Sequence, residues 1–126
     1  MIIKIHMIEE KNVVYNKAYK MAIEIVNIYK ELTSDKKEYV LSKQLLKSGT
    51  SIGANIAEAN GAISKADFSA KISLAYKETL ETKYWLSLLK DTKFIETNRY
   101  NDLFIDTDEI AKILYTILKK TRINKK

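Results

Sequence analysis

The side chains that could perform chemistry in this sequence are mainly carboxylates, and they lack the partners that catalysis requires. His6 is the single histidine and cysteine is absent, so nucleophilic dyads and triads that use either residue are excluded. Glu78 and Glu81 lie three residues apart, and Glu58 could face them from another helix. Di-metal sites in helical bundles also need two Glu-x-x-His motifs, which this chain lacks. We therefore expect no metal, no cofactor and no catalytic residue.

The segment KSGTSIG, residues 47–53, has the residue types of a phosphate-binding loop in the wrong order. A P-loop ends in Gly-Lys-Ser/Thr and follows a strand, whereas here the lysine comes first and no strand pattern precedes it. The segment therefore does not predict nucleotide hydrolysis.

Around this segment, the stretch from Leu41 to Asn60 predicts a helix with a bare ridge and a polar stripe. The ridge repeats every four residues and consists of Gly49, Gly53 and Ala57. Such a ridge lets another helix approach closely. The polar stripe alternates steps of four and three residues and consists of Gln44, Ser48, Ser51, Asn55 and Glu58.

Burial of this polar stripe would require hydrogen-bond partners, because each buried polar group left without one costs about 1–3 kcal/mol. An interface between identical subunits would supply such partners, and so would a wet central channel. The alternative is a solvated face, although a solvated helix has no reason to keep the two glycines. We therefore expect another helix to cover this side.

The composition describes one small helical domain over residues 1–126. Proline is absent, glycine occurs three times, and no apolar run approaches the ~20 residues of a membrane span. The start of the chain lacks the features of a secretory signal, and the absence of cysteine suits a cytoplasmic protein. We expect a cytoplasmic protein with no membrane contact.

The net charge of +6 is moderate and is compatible with a nucleic-acid partner or with none. Residues 119–126 contain five cations and no acid, which favours phosphate contact or simply a solvated helix end. The candidate nucleic-acid contacts are Lys43, Lys47, Lys119, Lys120 and Arg122.

Apolar periodicity predicts four helices. Their expected ranges are 12–33, 37–60, 65–91 and 107–122. Asn12 is the expected N-cap of the first helix, and capping boxes are expected to open the other three at Asp35/Glu38, Ser64/Asp67 and Asp106/Glu109. Residues 91–106 lack a clean period, so we expect them to pack against the bundle end. Short connections predict an all-α, antiparallel up-down-up-down four-helix bundle.

Two segments, LSKQLLKSGTSIGANIAEA and SKADFSAKISLAYKETLETKYWLSLLKD, resemble the four-helix-bundle proteins called ribosomal RNA intervening-sequence proteins. The resemblance covers about residues 12–122. Members are small bacterial proteins, some of them encoded within intervening sequences of large-subunit ribosomal RNA genes. Others are related to the accessory variability protein of diversity-generating retroelements, a pentameric barrel that binds reverse transcriptase and nucleic acid. The resemblance implies a homopentamer and suggests association with RNA. It does not imply any enzymatic activity.

The resemblance and the bare ridge together give one set of expected motif or interface residues. These residues are Gln44, Ser48, Gly49, Ser51, Gly53, Asn55, Glu58, Asp67, Lys71, Glu78, Glu81, Tyr84 and Trp85. Many members have arginine where this chain has Lys47, so pairing with an acid or phosphate there is less directional.

Two functions remain open from the sequence. The first is a non-catalytic homo-oligomer, expected to be a pentamer, whose basic surface binds ribosomal or other structured RNA. The alternative is a ring that acts as a scaffold for a protein partner and makes no direct contact with nucleic acid.

Overall fold

The computed structural model describes the backbone of residues 2–123 and the side chains of residues 13–121, and its described part contains no strand. Its four helices are α1 (Ile2–Ser34), α2 (Leu41–Asn60), α3 (Lys65–Asp91) and α4 (Thr97–Ile123). Each helix packs against the next along the chain, and α4 returns to α1, while α1 and α3 lie on a diagonal. Short turns make successive helices antiparallel. The expected all-α, up-down-up-down bundle is confirmed.

Regular four-three spacing of buried residues builds the core, because this spacing keeps one side of a helix inward. On α1 the buried seam is Val14, Ala18, Met21, Ile25, Ile28 and Leu32. On α3 it is Ile72, Ala75, Thr79, Thr82, Leu86 and Leu89. Both seams agree with the spacing in the sequence.

The start of α3 is also confirmed. The Ser64 side chain accepts the Asp67 backbone N–H at 3.0 Å, and the Asp67 carboxylate accepts the Ile63 N–H at 3.3 Å. Ser64 thus caps the first turn of the helix, as the capping-box pattern predicts.

The expected start of α4 at residue 107 is wrong, because the helix begins at Thr97. Asp106 lies inside α4 and therefore caps nothing. A buried seam runs through the whole helix with Thr107 at one of its positions. The Thr107 hydroxyl lies 2.7 Å from the Leu103 carbonyl oxygen and 3.1 Å from the Met21 sulfur, so a polar residue fits the core there. That threonine interrupts the apolar pattern of the sequence but leaves the helix continuous.

The expected starts of α1 and α2 are also wrong. The first helix begins at Ile2, so Asn12 lies within it; the intervening residues include no proline or glycine to stop it. The second helix begins at Leu41 rather than at residue 37. The Glu38 carboxylate accepts the backbone N–H groups of Val40, Leu41 and Ser42 at 2.7–3.3 Å, so Glu38 itself caps α2 in place of Asp35.

The bare ridge of α2 faces α1 of the same chain. A Cβ atom on Gly49 would lie 2.9 Å from Ile25 Cγ2, closer than side chains tolerate. A Cβ atom on Gly53 would lie 3.7 Å from the Ala18 Cβ, which is ordinary contact. The two helices therefore approach each other most tightly at Gly49.

Alanine at Gly49 should destabilise the bundle, whereas alanine at Gly53 should not. At Gly49 the added methyl group must displace buried Ile25, and overpacking typically costs about 1–3 kcal/mol. Better helix propensity returns at most about 1 kcal/mol of that cost. At Gly53 the methyl group fits, so the propensity gain remains. We expect thermal unfolding to show a lower Tm for Gly49→Ala and an equal or higher Tm for Gly53→Ala; identical shifts would contradict the close approach at Gly49.

Candidate functional site

The polar stripe of α2 runs beside one side of α3, and the surface along the line where these two helices meet is called here the α2–α3 groove. Near one end, Lys71 Nζ lies 3.3 Å from Glu58 Oε1. Near the other, the Thr82 hydroxyl lies 3.1 Å from the Ser48 hydroxyl. These two contacts join α2 to α3.

The expected interface residues differ in exposure. Those buried are Ser48 and Gly49; those half-buried are Ser51, Gly53, Asn55, Asp67, Lys71, Glu78 and Trp85; and those exposed are Gln44, Glu58, Glu81 and Tyr84. The glycines belong to the ridge that faces α1, and Asp67 lies at the start of α3. The set therefore divides between helix packing, helix capping and an outward groove.

Ser48, Ser51 and Asn55 of the polar stripe have hydrogen-bond partners within this chain. The Ser51 hydroxyl lies 2.6 Å from the Lys47 carbonyl oxygen, and the Asn55 amide donates to the Ser51 carbonyl oxygen at 2.9 Å. Buried Ser48 has the Thr82 hydroxyl and the Leu45 carbonyl oxygen within reach. These groups need no second subunit for hydrogen bonding, so self-association stays a prediction.

Glu78 is the half-buried carboxylate of the α2–α3 groove. Partial burial raises the pKa of Glu78, and the neighbouring Glu81 carboxylate raises it further, while the Lys47 ammonium acts in the opposite direction. The Glu81 carboxylate also accepts the Trp85 indole N–H at 3.2 Å, and the Tyr84 ring meets the Trp85 ring edge-on. The groove therefore offers a carboxylate that takes up a proton more readily than a solvated one.

No group of three metal-ligating side chains stands close enough to hold a metal ion anywhere in the part of the chain whose side chains are described. Three sequence candidates cannot be placed here, since the side chains of His6, Asn12 and Arg122 lie outside that part. Among the described helices, none is both long and apolar enough to cross a membrane.

The candidate nucleic-acid contacts do not form one patch. Lys43 and Lys47 are exposed near the start of α2, whereas exposed Lys119 and half-buried Lys120 lie near the end of α4. Contacts at Ser48–Thr82 and Lys83–Asp108 place Lys47 and residue 108 at similar levels of the bundle. At ~1.5 Å per residue, Lys119 is about 16 Å further along the axis. The two groups therefore occupy opposite ends.

The end of the bundle formed by residues 35–44 and 92–96 is called here the turn end. Its exposed cations include Lys36, Lys37, Lys43 and Lys93, of which Lys43 was expected from the sequence, and its acids are Asp35, Glu38 and Glu96. None of these four has an anionic partner among the described side chains. The adjacent lysines Lys36 and Lys37 are visible in the sequence. That the α3–α4 turn with Lys93 lies at the same end of the bundle follows only from the order of the helices in the fold.

Two of these lysines have a left-handed backbone where a helix ends. Lys37 has φ of 56° and Lys93 has φ of 68°, and they are the two non-glycine residues with positive φ in the described chain. Backbone hydrogen bonds close both helix ends, from the Glu38 N–H to the Leu32 carbonyl oxygen at 2.9 Å and from the Phe94 N–H to the Leu89 carbonyl oxygen at 2.8 Å. Helix termination therefore accounts for this conformation, and it is the exposed lysines that make the turn end a second candidate site.

A cavity of about 680 Å³ opens at the turn end, between α1 and the α3–α4 turn. Its apolar lining is Ile28, Leu32, Phe94 and Ile95, and its charged lining is Glu31, Lys36, Lys90, Lys93, Glu96 and Arg99. Packing between α1 and α4 is the sparsest of the four helix pairs, which leaves this space open. We call it the turn-end cavity.

Comparison with known proteins identifies a family and a solved structure. A family model described as 23S rRNA-intervening sequence protein matches residues 10–116. A crystal structure of a protein of unknown function from the S23 ribosomal protein family of Bacteroides thetaiotaomicron is 50% identical, with a TM-score of 0.85. The match covers 87% of this chain and 98% of that chain. No curated protein matches the chain.

Replacing Glu78 by glutamine should stabilise the protein slightly at pH 7. Because the folded state raises the pKa of this carboxyl, its ionisation at neutral pH disfavours the fold. The gain should be at most about 0.5 kcal/mol, as is usual outside a core where solvent screens the charge. It should disappear as the pH falls through the raised pKa to below the usual value near 4.5, where the carboxyl is protonated in both states. Thermal unfolding of the wild type and of Glu78→Gln should be measured from pH 3.5 to 7, a range that includes the pH at which carboxyls titrate. A lower Tm for Glu78→Gln than for the wild type at pH 7 would instead indicate that Glu78 forms a stabilising pair with Lys47.

Proposed function

Because the chain belongs to the 23S rRNA-intervening sequence protein family, we propose that it is a non-catalytic helical bundle that binds structured RNA. We further propose that it assembles with copies of itself, as a pentamer, and acts in the cytoplasm. The family name links such proteins to ribosomal RNA genes, and the site geometry supports a choice of binding surface.

The observation that carries the RNA proposal is the set of unpaired cations at the turn end. Lys36, Lys37, Lys43 and Lys93 project from one end without acidic partners among the described side chains. Neutralising phosphates with such lysines releases condensed counterions, and this release supplies much of the affinity of nucleic-acid binding. Lys43 and Lys47 were both expected from the sequence. Lys47 lies one turn further along α2 and near Glu78, where its charge opposes part of the rise in the pKa of that carboxyl.

Exposed apolar side chains support self-association. Ile23 on α1 is 48% exposed and Leu80 on α3 is 45% exposed, each beside an exposed tyrosine, Tyr19 or Tyr84. Ile23 lines a depression between α1 and α4, and Leu80 lines a depression between α3 and α4, so the two side chains lie on different faces of the bundle. Contact between two different faces of successive copies is head-to-tail, and a head-to-tail contact closes into a ring when the rotation permits.

RNA binding should weaken as salt rises and should depend on the turn end. Fluorescence anisotropy with a labelled hairpin of large-subunit ribosomal RNA measures the affinity across a range of KCl concentrations. The log-log slope should be about −0.9 per neutralised phosphate on duplex and about −0.7 on single strands. Replacing Lys36, Lys37 and Lys43 together by glutamine should make the slope shallower by up to about 0.9 per lost contact.

The matched control replaces three exposed lysines elsewhere, Lys20, Lys65 and Lys77, and removes the same charge. This control variant should retain most of the affinity for the hairpin. If the double variant Lys119→Gln/Lys120→Gln loses affinity while the turn-end variant does not, RNA binds the end of the bundle where α4 finishes. Salt-independent binding, or recovery of a stoichiometric protein partner without nucleic acid, would favour the scaffold function instead.

Light scattering of the purified protein should give a multiple of the 14.5 kDa chain mass. Ile23→Lys and Leu80→Lys should each reduce this to the mass of one chain, because each places a charge in the proposed contact. The control is Ile63→Lys in the α2–α3 turn, where Ile63 is 94% exposed and away from both faces. A wild-type protein with the mass of one chain would overturn the ring, and circular dichroism confirms that the variants are folded.

A further inference from the structure

The turn-end cavity is an open depression large enough for a small molecule. Its volume of about 680 Å³ lies within the roughly 300–1,000 Å³ usual for ligand pockets. We propose that it binds a nucleoside 5′-monophosphate, either as a free nucleotide or as the 5′-terminal residue of an RNA. The second source rests on the proposed RNA function, whereas the first does not.

The lining of the cavity offers one aromatic side chain to the base of such a ligand. Half-buried Phe94 on the α3–α4 turn supplies it, whereas Ile28, Leu32 and Ile95 beneath are at most 6% exposed. Nucleobases bind proteins by placing their faces on aromatic side chains. A bare inorganic anion would gain nothing from Phe94.

The rim supplies the charge for a phosphate group. Four cations and two carboxylates line the cavity, but two of the cations are already engaged. Arg99 forms an ion pair with Glu31, and Lys90 lies 3.4 Å from the Asp91 carboxylate and 4.6 Å from the centre of the Tyr100 ring.

Lys36 and Lys93 remain without an acidic partner among the described side chains. They come from different turns and line the same cavity. A phosphate monoester with a charge of about −1.5 to −2 can accept from both ammonium groups at once. The proposed phosphate position is therefore between these two lysines.

The positive φ of Lys93 belongs to the end of α3. The Phe94 N–H donates to the Leu89 carbonyl oxygen at 2.8 Å and the Lys93 N–H donates to the Lys90 carbonyl oxygen at 2.9 Å, a pattern with which helices commonly end on a left-handed residue. These two hydrogen bonds hold the backbone of Lys93 in place at the rim of the cavity. Glu96 is the opposing charge on the rim, so it should limit the affinity rather than increase it.

The test is a titration of ¹⁵N-labelled full-length protein with AMP, in which two-dimensional NMR records the amide shifts. The AMP concentration rises to about 5 mM, so that even a millimolar Kd can be measured. Shifted amides should belong to residues 28–36 and 90–99. The double variant Lys36→Gln/Lys93→Gln should bind about tenfold more weakly or worse, because charge-assisted hydrogen bonds to phosphate are lost. Glu96→Gln should bind AMP more tightly, and the matched control Lys77→Gln, on an exposed part of α3, should bind it unchanged.

Adenosine and inorganic phosphate, titrated separately, test the two halves of the site. Each should bind more weakly than AMP. The absence of shifts with AMP, shifts outside these two segments, or equal binding of AMP and inorganic phosphate would overturn the proposal. A stronger response to a 5′-phosphorylated RNA tetramer than to its 5′-hydroxyl form supports an RNA end as the source, and a response to AMP alone supports a free nucleotide.

Comparing AMP binding with hairpin binding by the unsubstituted protein separates this proposal from the RNA function. If AMP does not bind while hairpin RNA does, the cavity assignment fails and the RNA function stands. If AMP binds and hairpin RNA does not, the RNA function fails and the cavity assignment stands for free nucleotides.

Discussion

The tight contact between Ile25 of α1 and Gly49 of α2 is the constraint from which the functional surfaces follow. Because no side chain fits at Gly49, that side of α2 can only face α1. The rotation of α2 about its axis is then fixed. Ser48 turns toward Thr82 of α3, and the polar stripe next to it turns toward the outside of the α2–α3 groove. A packing requirement at one glycine thus decides which polar residues are left at the surface.

The sequence predicts the helices well where the buried residues are apolar and poorly where a polar residue takes a core position. The third helix begins and ends as expected, since Ser64 and Asp67 form their hydrogen bonds locally. The start of α4 was missed because buried Thr107 looks like a break in the apolar pattern. The turn-end cations Lys36, Lys37 and Lys93 were missed for a different reason: Lys36 and Lys93 become neighbours only through the topology.

The polar stripe of α2 shows that side-chain type alone does not distinguish an interface from a satisfied helix surface. Ser51 and Asn55 bond to carbonyl groups one turn earlier in the same helix, which is common for such residues. Contacts between α2 and α3 still involve motif residues, since Glu58 pairs with Lys71, Ser48 contacts Thr82, and the Lys47 ammonium acts on half-buried Glu78. Helix packing, helix capping and these contacts therefore account for part of the family pattern.

The loose seam between α1 and α4 has a consequence for how the chain reaches its folded state. The other three pairings join helices that are consecutive in sequence, whereas this one joins the first helix to the last. Its formation closes the longest loop in the protein and gains the fewest contacts in return, so hairpin-like pairing of neighbours should come first. Local opening of the native state should begin at the same seam, so hydrogen exchange should be least protected along the walls of the turn-end cavity.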